Sequence, residues 1–428
     1  MTDTMTDTTT DTNESLFRRG SAVIPGGVNS PVRAFRSVGG TPHFIAEGSG
    51  AYVVDVEGNR FIDYVQSYGA SILGHAHPEV IDTIRSAATS GTTFGAPTPG
   101  EVALAEAIVA RVPGLEMIRL VSSGTEAVMS AVRVARGATG RTKVVKFAGH
   151  YHGHSDSLLA AGGSGVADQG LSDSAGVTPG AVADTVVVPW NVVPTLDADT
   201  AVLIVEPVAA NMGLVPAADG FLAALRVECD RVGALLMFDE VITGFRLGAG
   251  GATAAFGVTP DLWSFGKVIG GGLPVGAFGG SVELMSNLAP LGAVYQAGTL
   301  SGNPLATAAG LKVLELMTQD RYEELTATAT ALADGLAEAF ASAGVAARVP
   351  RVGPLVGLFF GEHDPTNYDE AQASVALGRY PAWFHAMLRR GIALAPGPYE
   401  VLFPSLAHGP ADVRRTIEAA AQAATELV

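Results

Sequence analysis

The stretch ALLMFDEVITGFR, Ala234 to Arg246, decides how this chain is read. Its first seven residues, ALLMFDE, begin as an unbroken apolar run of strand length, the pattern of a strand buried on both faces of a parallel sheet. The run ends on two acids. Asp239 there would be costly to bury unless paired. A helix cap or an ion pair with Arg246 would serve, and so would a ligand that needs an acid.

Working outward, runs of the same kind recur at MIRLVS (Met117 to Ser122), KVVKF (Lys143 to Phe147), DTVVVPW (Asp184 to Trp190) and AVLIVEP (Ala201 to Pro207). Between and after them lie segments such as TEAVMSAVRVARGA and GFLAALRVECDRVG, with apolar residues at helical spacing. The alternation predicts an α/β chain whose large domain holds a mostly parallel sheet covered by helices. In such sheets ligands collect at the carboxyl ends of the strands, which here carry Ser122, Ser123, His150, Tyr151, Glu206, Asp239 and Glu240. After about residue 310 the pattern changes to a helix over Pro304 to Met317, another over Thr326 to Ala343, short strands and a final helix. That predicts a smaller α+β domain over 311–428, preceded by a tail over 1–15, an N-terminal segment over 16–70 and the large domain over 71–310.

The composition removes several function classes. The formal net charge of -16 argues against a nucleic-acid backbone as partner. Apolar runs are short and broken by Gly, Pro or charge, which argues against a membrane span. Cys229 is the only cysteine, which fits a reducing cytoplasm and gives no thiolate metal site. The opening MTDTMTDTTTDTNES has neither the basic nor the apolar region of a secretory leader and reads as a disordered tail.

The chain has four lysines, and Lys267 stands apart from Lys143, Lys146 and Lys312 because it sits in FGKVIGGGLPVGAFGG, Phe265 to Gly280. Glycines on its C-terminal side let backbone approach a ligand closely. A lysine that can lose its proton beside a carbonyl suits Schiff-base chemistry, with a surface ion pair as the plainer alternative. Lys143 and Lys146 flank a strand, and Lys312 suits a solvated helix face. Lys267 and Asp239 together suggest pyridoxal phosphate (PLP), whose ring nitrogen needs an acid beside it. SSGTEAVMSAVRVA supplies a seat for a phosphate: a strand end, a turn at Gly124, and a helix starting near Thr125 whose free N–H groups favour an anion. Ser123 and Thr125 could add hydroxyls, although S-x-T-E is also an ordinary capping box. GTLSGNP, Gly298 to Pro304, is a second such turn, with Thr299 in reach of a phosphate. GHYHGH invites a metal reading at His150, His152 and His154, but two glycines and the lack of an acidic ligand argue against it, so no metal is expected. Tyr151 could instead stack on a flat ring. The connection from Ser155 to Ala183 is long and poor in apolar periodicity, and is expected to act as a lid.

These pieces resemble the class III aminotransferases, PLP-dependent transferases of fold type I, through FDEVITGFR and GKVIGGGLPVGAFGG. The resemblance runs from about Leu16 to the C-terminal helix. PGGVNSPVRAF, SSGTEAVMSAVRVAR, GHYHGHSDSLL, VEPVAANMG, YQAGTLSGNP and LFFGEHDPTNYDEA are similar to its aminomutase branch. The resemblance implies that Lys267 tethers the cofactor and shuttles the proton, Asp239 pairs with the ring nitrogen, and Tyr151 and Val241 pack on opposite ring faces. Ser123, Gly124, Thr125, Asn211 and, from a neighbouring subunit, Thr299 are implied as further cofactor contacts. Ser30 and Arg33, in NSPVR, and Glu400 are implied on the substrate side. The implied activity converts (S)-4-amino-5-oxopentanoate to 5-aminolevulinate through 4,5-diaminovalerate, a step of tetrapyrrole synthesis using the pyridoxamine form (PMP) within the cycle. The implied assembly is a homodimer with a shared active site. The alternative is an aminotransferase that moves an amine between separate donor and acceptor. This chain departs from the family pattern at Ser122, at Ala210 and in APGPYEVLF, where Gly397, Pro398, Val401 and Leu402 differ and Glu400 is kept.

Overall fold

The computed structural model describes residues 11–160 and 174–427. Most of the expected tail and the middle of the expected lid, residues 1–10 and 161–173, lie outside the described residues. The end of the tail is corrected: the helix Asn13–Ser21 begins inside it, with the Thr12 hydroxyl accepting from Ser15 N. Asn13 is buried and its amide donates to Asp55 at 2.9 Å. A side chain with a buried carboxylate partner is ordered whatever the composition around it.

Among the described residues, seven strands form the larger sheet. They are β4 (Met117–Val121), β5 (Lys143–Phe147), β6 (Thr185–Val188), β7 (Thr200–Val205), β8 (Leu235–Glu240), β9 (Leu262–Phe265) and β10 (Gly276–Gly280), after β1–β3 of a smaller sheet (Ile45–Ser49, Tyr52–Asp55, Arg60–Asp63). The order is β4-β10-β9-β8-β7-β5-β6, and β10 alone runs antiparallel to its neighbours. Burial explains the continuous apolar runs: Leu236, Met237 and Phe238 of β8 are wholly buried, at roughly 1.5 to 3 kcal/mol each for such a side chain.

Two strands escape the hydrophobic pattern. LWSF, β9, is short, and GAFGG, β10, is mostly glycine, which normally weakens a strand. Here glycine is what fits. A Cβ at Gly276 would fall on the Ser123 carbonyl, so β10 can lie between β9 and β4 only without side chains at such points.

The smaller sheet places β1, β2 and β3 in order, with Ile392–Ala393 parallel to β3. Residues of 16–70 and of 311–428, expected as separate segments, thus share a sheet. They also share a core, where Val38, Ile62 and Tyr64 pack with Leu336, Trp383 and Phe384. The helix expected over Thr326 to Ala343 is longer, Gln319–Ser342, and Pro304–Leu316 and Pro410–Ala424 complete the main helices of this part. No helix among the described residues is long and apolar enough to cross a membrane.

Lys267 follows β9 and opens a tight turn, Lys267–Gly270, against which the helix Pro304–Leu316 packs. Gly310 makes this approach possible, because a Cβ there would coincide with the Ile269 carbonyl oxygen. Gly310→Ala gains about 1 kcal/mol of helix propensity. The clash with backbone should outweigh it, with a net loss of about 1–3 kcal/mol. Thermal unfolding should show a lower midpoint for the variant, whereas an unchanged or higher midpoint would mean that the helix and turn can separate freely.

Candidate active site

The carboxyl ends of five strands converge. Beyond β4 come Ser123, Gly124 and Thr125; beyond β5, Tyr151, His152 and Gly153; beyond β7, Glu206, Val208 and Asn211; at the end of β8, Asp239, Val241 and Ile242; beyond β9, Lys267. Together they line one cleft of about 250 Å³.

Asp239, only 5% exposed, is its most constrained member. Oδ1 accepts from the Ser264 hydroxyl at 3.0 Å and from Val241 N at 3.1 Å, and Oδ2 lies 2.7 Å from His152 Nδ1. A carboxylate with three donors is held in one orientation. Arg246 is not its partner: that guanidinium is buried elsewhere, donating to the Gly69 and Pro404 carbonyls at 2.9 and 3.2 Å.

Glu206 is a second acid, at the end of AVLIVEP. Its oxygens accept from Tyr151 N at 2.7 Å and Ala210 N at 3.0 Å. Burial, reinforced by the charge of Asp239, pushes its carboxyl up to about 8, against the opposing hydrogen bonds of Ala210, Tyr151 and Asn211. At neutral pH Glu206 is thus pushed toward its protonated form. Glu240 turns away into backbone, accepting from Ala252 N at 2.7 Å.

Burial lowers the Lys267 ammonium to about 8, opposed by the negative charges of Glu400, Asp239 and Glu206. Its backbone has φ +48°, an uncommon left-handed value for a lysine and a local strain of the kind that gathers at functional sites. Across the cleft, the helix Gly124–Thr139 presents its N-terminus, where first-turn N–H groups have no intrahelical acceptor. The Ser123 hydroxyl caps this helix by accepting from Glu126 N at 3.2 Å, while Glu126 accepts from Ser122 N at 2.7 Å.

Of the residues singled out in the sequence, Ser123, Gly124, Thr125, Tyr151, Asn211, Asp239, Val241 and Lys267 line this cleft. Glu400 is not among its lining residues, yet it exerts the largest single charge effect on Lys267. Thr299 lies in another hollow with Phe94, Glu101 and Asn303, and Arg33 in a third with Tyr68, His75 and Pro396. Ser30 stands just before the turn Pro31–Ala34 that carries Arg33. His150 and His152 are buried and turned to Glu206 N and Asp239, whereas His154 is exposed beside Thr125. Lys146 is also corrected: it does not merely flank a strand but is wholly buried, its Nζ donating to the Leu158 and Ala160 carbonyls, each at 3.1 Å. Sequence reasoning gave no role to Glu206 or to the pairing of His152 with Asp239. The signal for Glu206 was the one that picked out Asp239, an acid closing an apolar strand.

Comparison with known proteins bears on this arrangement. The family model for class III aminotransferases matches residues 35–407. A Bordetella avium protein named glutamate-1-semialdehyde 2,1-aminomutase is 52% identical over 414 residues, covering 95% of this chain and 97% of its own. Among solved structures, an omega-transaminase from Sphaerobacter thermophilus superimposes with TM-score 0.88 at 32% identity, over 97% of this chain and 98% of its own. A glutamate-1-semialdehyde aminomutase from Pseudomonas aeruginosa, in complex with PMP, gives TM-score 0.86 at 28% identity, over 97% and 94% of the two chains.

The electrostatics of the cleft predict reactivity directly. With its ammonium lowered to about 8, roughly a tenth of Lys267 is neutral at pH 7, against under about one in a thousand for an ordinary lysine. Lys143 and Lys312 are pushed the other way by Asp197 and Glu315. Dilute acetylating reagent at pH 7 should therefore label Lys267 of the cofactor-free protein ahead of Lys143 and Lys312, as read by peptide mass spectrometry. Earlier labelling of Lys143 or Lys312 would contradict this electrostatic account.

Proposed function

The chain belongs to the class III aminotransferases, and we propose that within them it moves an amine inside one substrate, converting (S)-4-amino-5-oxopentanoate, glutamate-1-semialdehyde, to 5-aminolevulinate through 4,5-diaminovalerate. This is a step of tetrapyrrole synthesis. The observation that carries the chemistry is Lys267, poised to lose its proton, in one cleft with the buried carboxylate Asp239. The choice of substrate is supported by the likeness to the Bordetella avium aminomutase over nearly the whole chain.

The residues of the cleft fit pyridoxal or pyridoxamine phosphate. Gly124 keeps the helix N-terminus clear, since a Cβ there would press on Val241 at 3.0 Å. Val241 and Tyr151 both line the cleft and would flank a flat ring. Ser123, Gly124 and Thr125 would hold the phosphate at the helix N-terminus, Asn211 would take a polar edge of the ring, and Asp239 would keep the ring nitrogen protonated. Bound there, the cofactor supplies an electron sink for the carbon that bears the amine.

The remaining work falls to side chains. Lys267 would tether the cofactor and carry the proton between the two adjacent substrate carbons, a task suited to an amine close to neutrality. Glu400 would balance its charge when protonated. Ser30 and Arg33 would grip the substrate carboxylate, the guanidinium engaging both oxygens. Thr299, remote from its own cleft, would reach the phosphate of a second copy, so the working assembly is a homodimer. The single cysteine and the negative net charge fit a cytoplasmic enzyme with a small-molecule substrate.

The likeness to an omega-transaminase at 32% identity favours the second reading, transfer between separate donor and acceptor. The two differ in what they need. Glutamate-1-semialdehyde alone, with no added amino donor, should yield 5-aminolevulinate from the cofactor-loaded protein, and an absolute requirement for a donor would overturn the intramolecular reading. Arg33→Ala should lower kcat/KM about ten- to a hundred-fold, the loss for a hydrogen bond to a charged group. Cofactor absorbance should be unchanged. Lost cofactor absorbance with an unchanged KM would make Arg33 structural.

A further inference from the structure

Behind Asp239 lies a feature that the proposed reaction does not use. His150 and His152 are 0% and 1% exposed, and their rings meet edge to face with centroids 5.8 Å apart. Each has one engaged nitrogen and one, Nε2, with no hydrogen-bond partner among the described residues. Leaving two such atoms unsatisfied in a protein interior is costly.

The engaged nitrogens fix which tautomer each ring adopts. Glu206 N donates to His150 Nδ1 at 3.1 Å, so that nitrogen carries no proton and the neutral ring holds its proton on Nε2. His152 Nδ1 faces Asp239 Oδ2 at 2.7 Å, and a carboxylate only accepts, so the proton is on Nδ1 and Nε2 is a bare lone pair. Burial holds both rings neutral, and the positive charge of Lys146 opposes a second proton on either; Asp239 pulls His152 the other way. One orphan is thus a donor and its neighbour an acceptor.

We propose that His150 is a positioning residue for His152, its Nε2–H linked to the His152 Nε2 lone pair across one buried water. Water can accept from the first and donate to the second, and it satisfies both at little entropic cost. Every link from Glu206 N–H through His150, the water and His152 then points its proton toward Asp239, each bond polarising the next. The chain keeps His152 neutral with its Nδ1–H committed to Asp239, and holds that carboxylate aimed into the cleft. This deepens the reading in which Asp239 faces a ring nitrogen, and the test uses cofactor-free protein so that its outcome does not hang on that reading.

The experiment is histidine ¹⁵N NMR on the full chain, with assignments made through His150→Gln and His152→Gln. The parent should show His150 protonated at Nε2 and His152 at Nδ1. In His150→Phe, which keeps the bulk but removes the donor, the His152 Nε2 resonance should move toward that of a bare, unbonded nitrogen, and His152 should gain its second proton at a higher pH. Glutamine, whose amide can donate, should restore the parent signal. A proton on His150 Nδ1 in the parent, or His152 signals identical in parent and His150→Phe, would overturn the proposal. Should the phenylalanine variant fail to fold, the parent tautomers decide it alone.

Discussion

The buried carboxylate of Asp239 is the interaction on which the rest of the site depends. A charge at the end of an apolar strand is tolerable only with full hydrogen bonding, and β9, the β5 extension and the local backbone each contribute a donor: Ser264, His152 and Val241 N. Those three bonds tie neighbouring strand ends together at the floor of the cleft. Its negative charge then acts outward. It raises the Glu206 carboxyl and moderates the loss of charge that burial imposes on Lys267. Burial is the larger cause at both groups, and the charge of Asp239 adjusts what burial sets.

Close backbone packing sets where the lysine sits. Gly276 lets β10 lie against the β4 end, and Gly310 lets a helix of the following segment press on the turn that Lys267 opens. The turn adopts a left-handed backbone at a residue that gains nothing locally from it. Packing therefore holds the amine in a position that local propensity would not choose, with strain confined to one residue.

Much of this was legible. Five of the strands of the larger sheet follow from apolar runs with near-matching bounds, because a strand buried on both faces has one unmistakable signature. Asp239 and Lys267 were legible because each contradicts its surroundings, an acid on an apolar strand and a charge among glycines. The strand GAFGG was not, since its residues are chosen for what would collide with a side chain, and that is a property of β4 and Ser123 rather than of itself. The burial of Lys146 was hidden because its partners are carbonyls of Leu158 and Ala160, which leave no trace in side-chain identity. The sharing of a sheet between β3 and Ile392–Ala393 joins residues over 300 positions apart, where periodicity within a window carries no information. Arg33 and Thr299 show the other limit: the sequence marks them as candidates, but their hollows are separate from the Lys267 cleft in one chain.

The central claim is that Lys267, in one cleft with Asp239, is the lysine that takes the cofactor. Pyridoxal phosphate added to the protein, reduced with borohydride and followed by peptide mapping tests it most directly, because reduction fixes the cofactor to whichever amine has bound it. The account predicts one stoichiometric label on Lys267, absent in Lys267→Ala. A label on the buried Lys146, or one spread over Lys143 and Lys312, would contradict it.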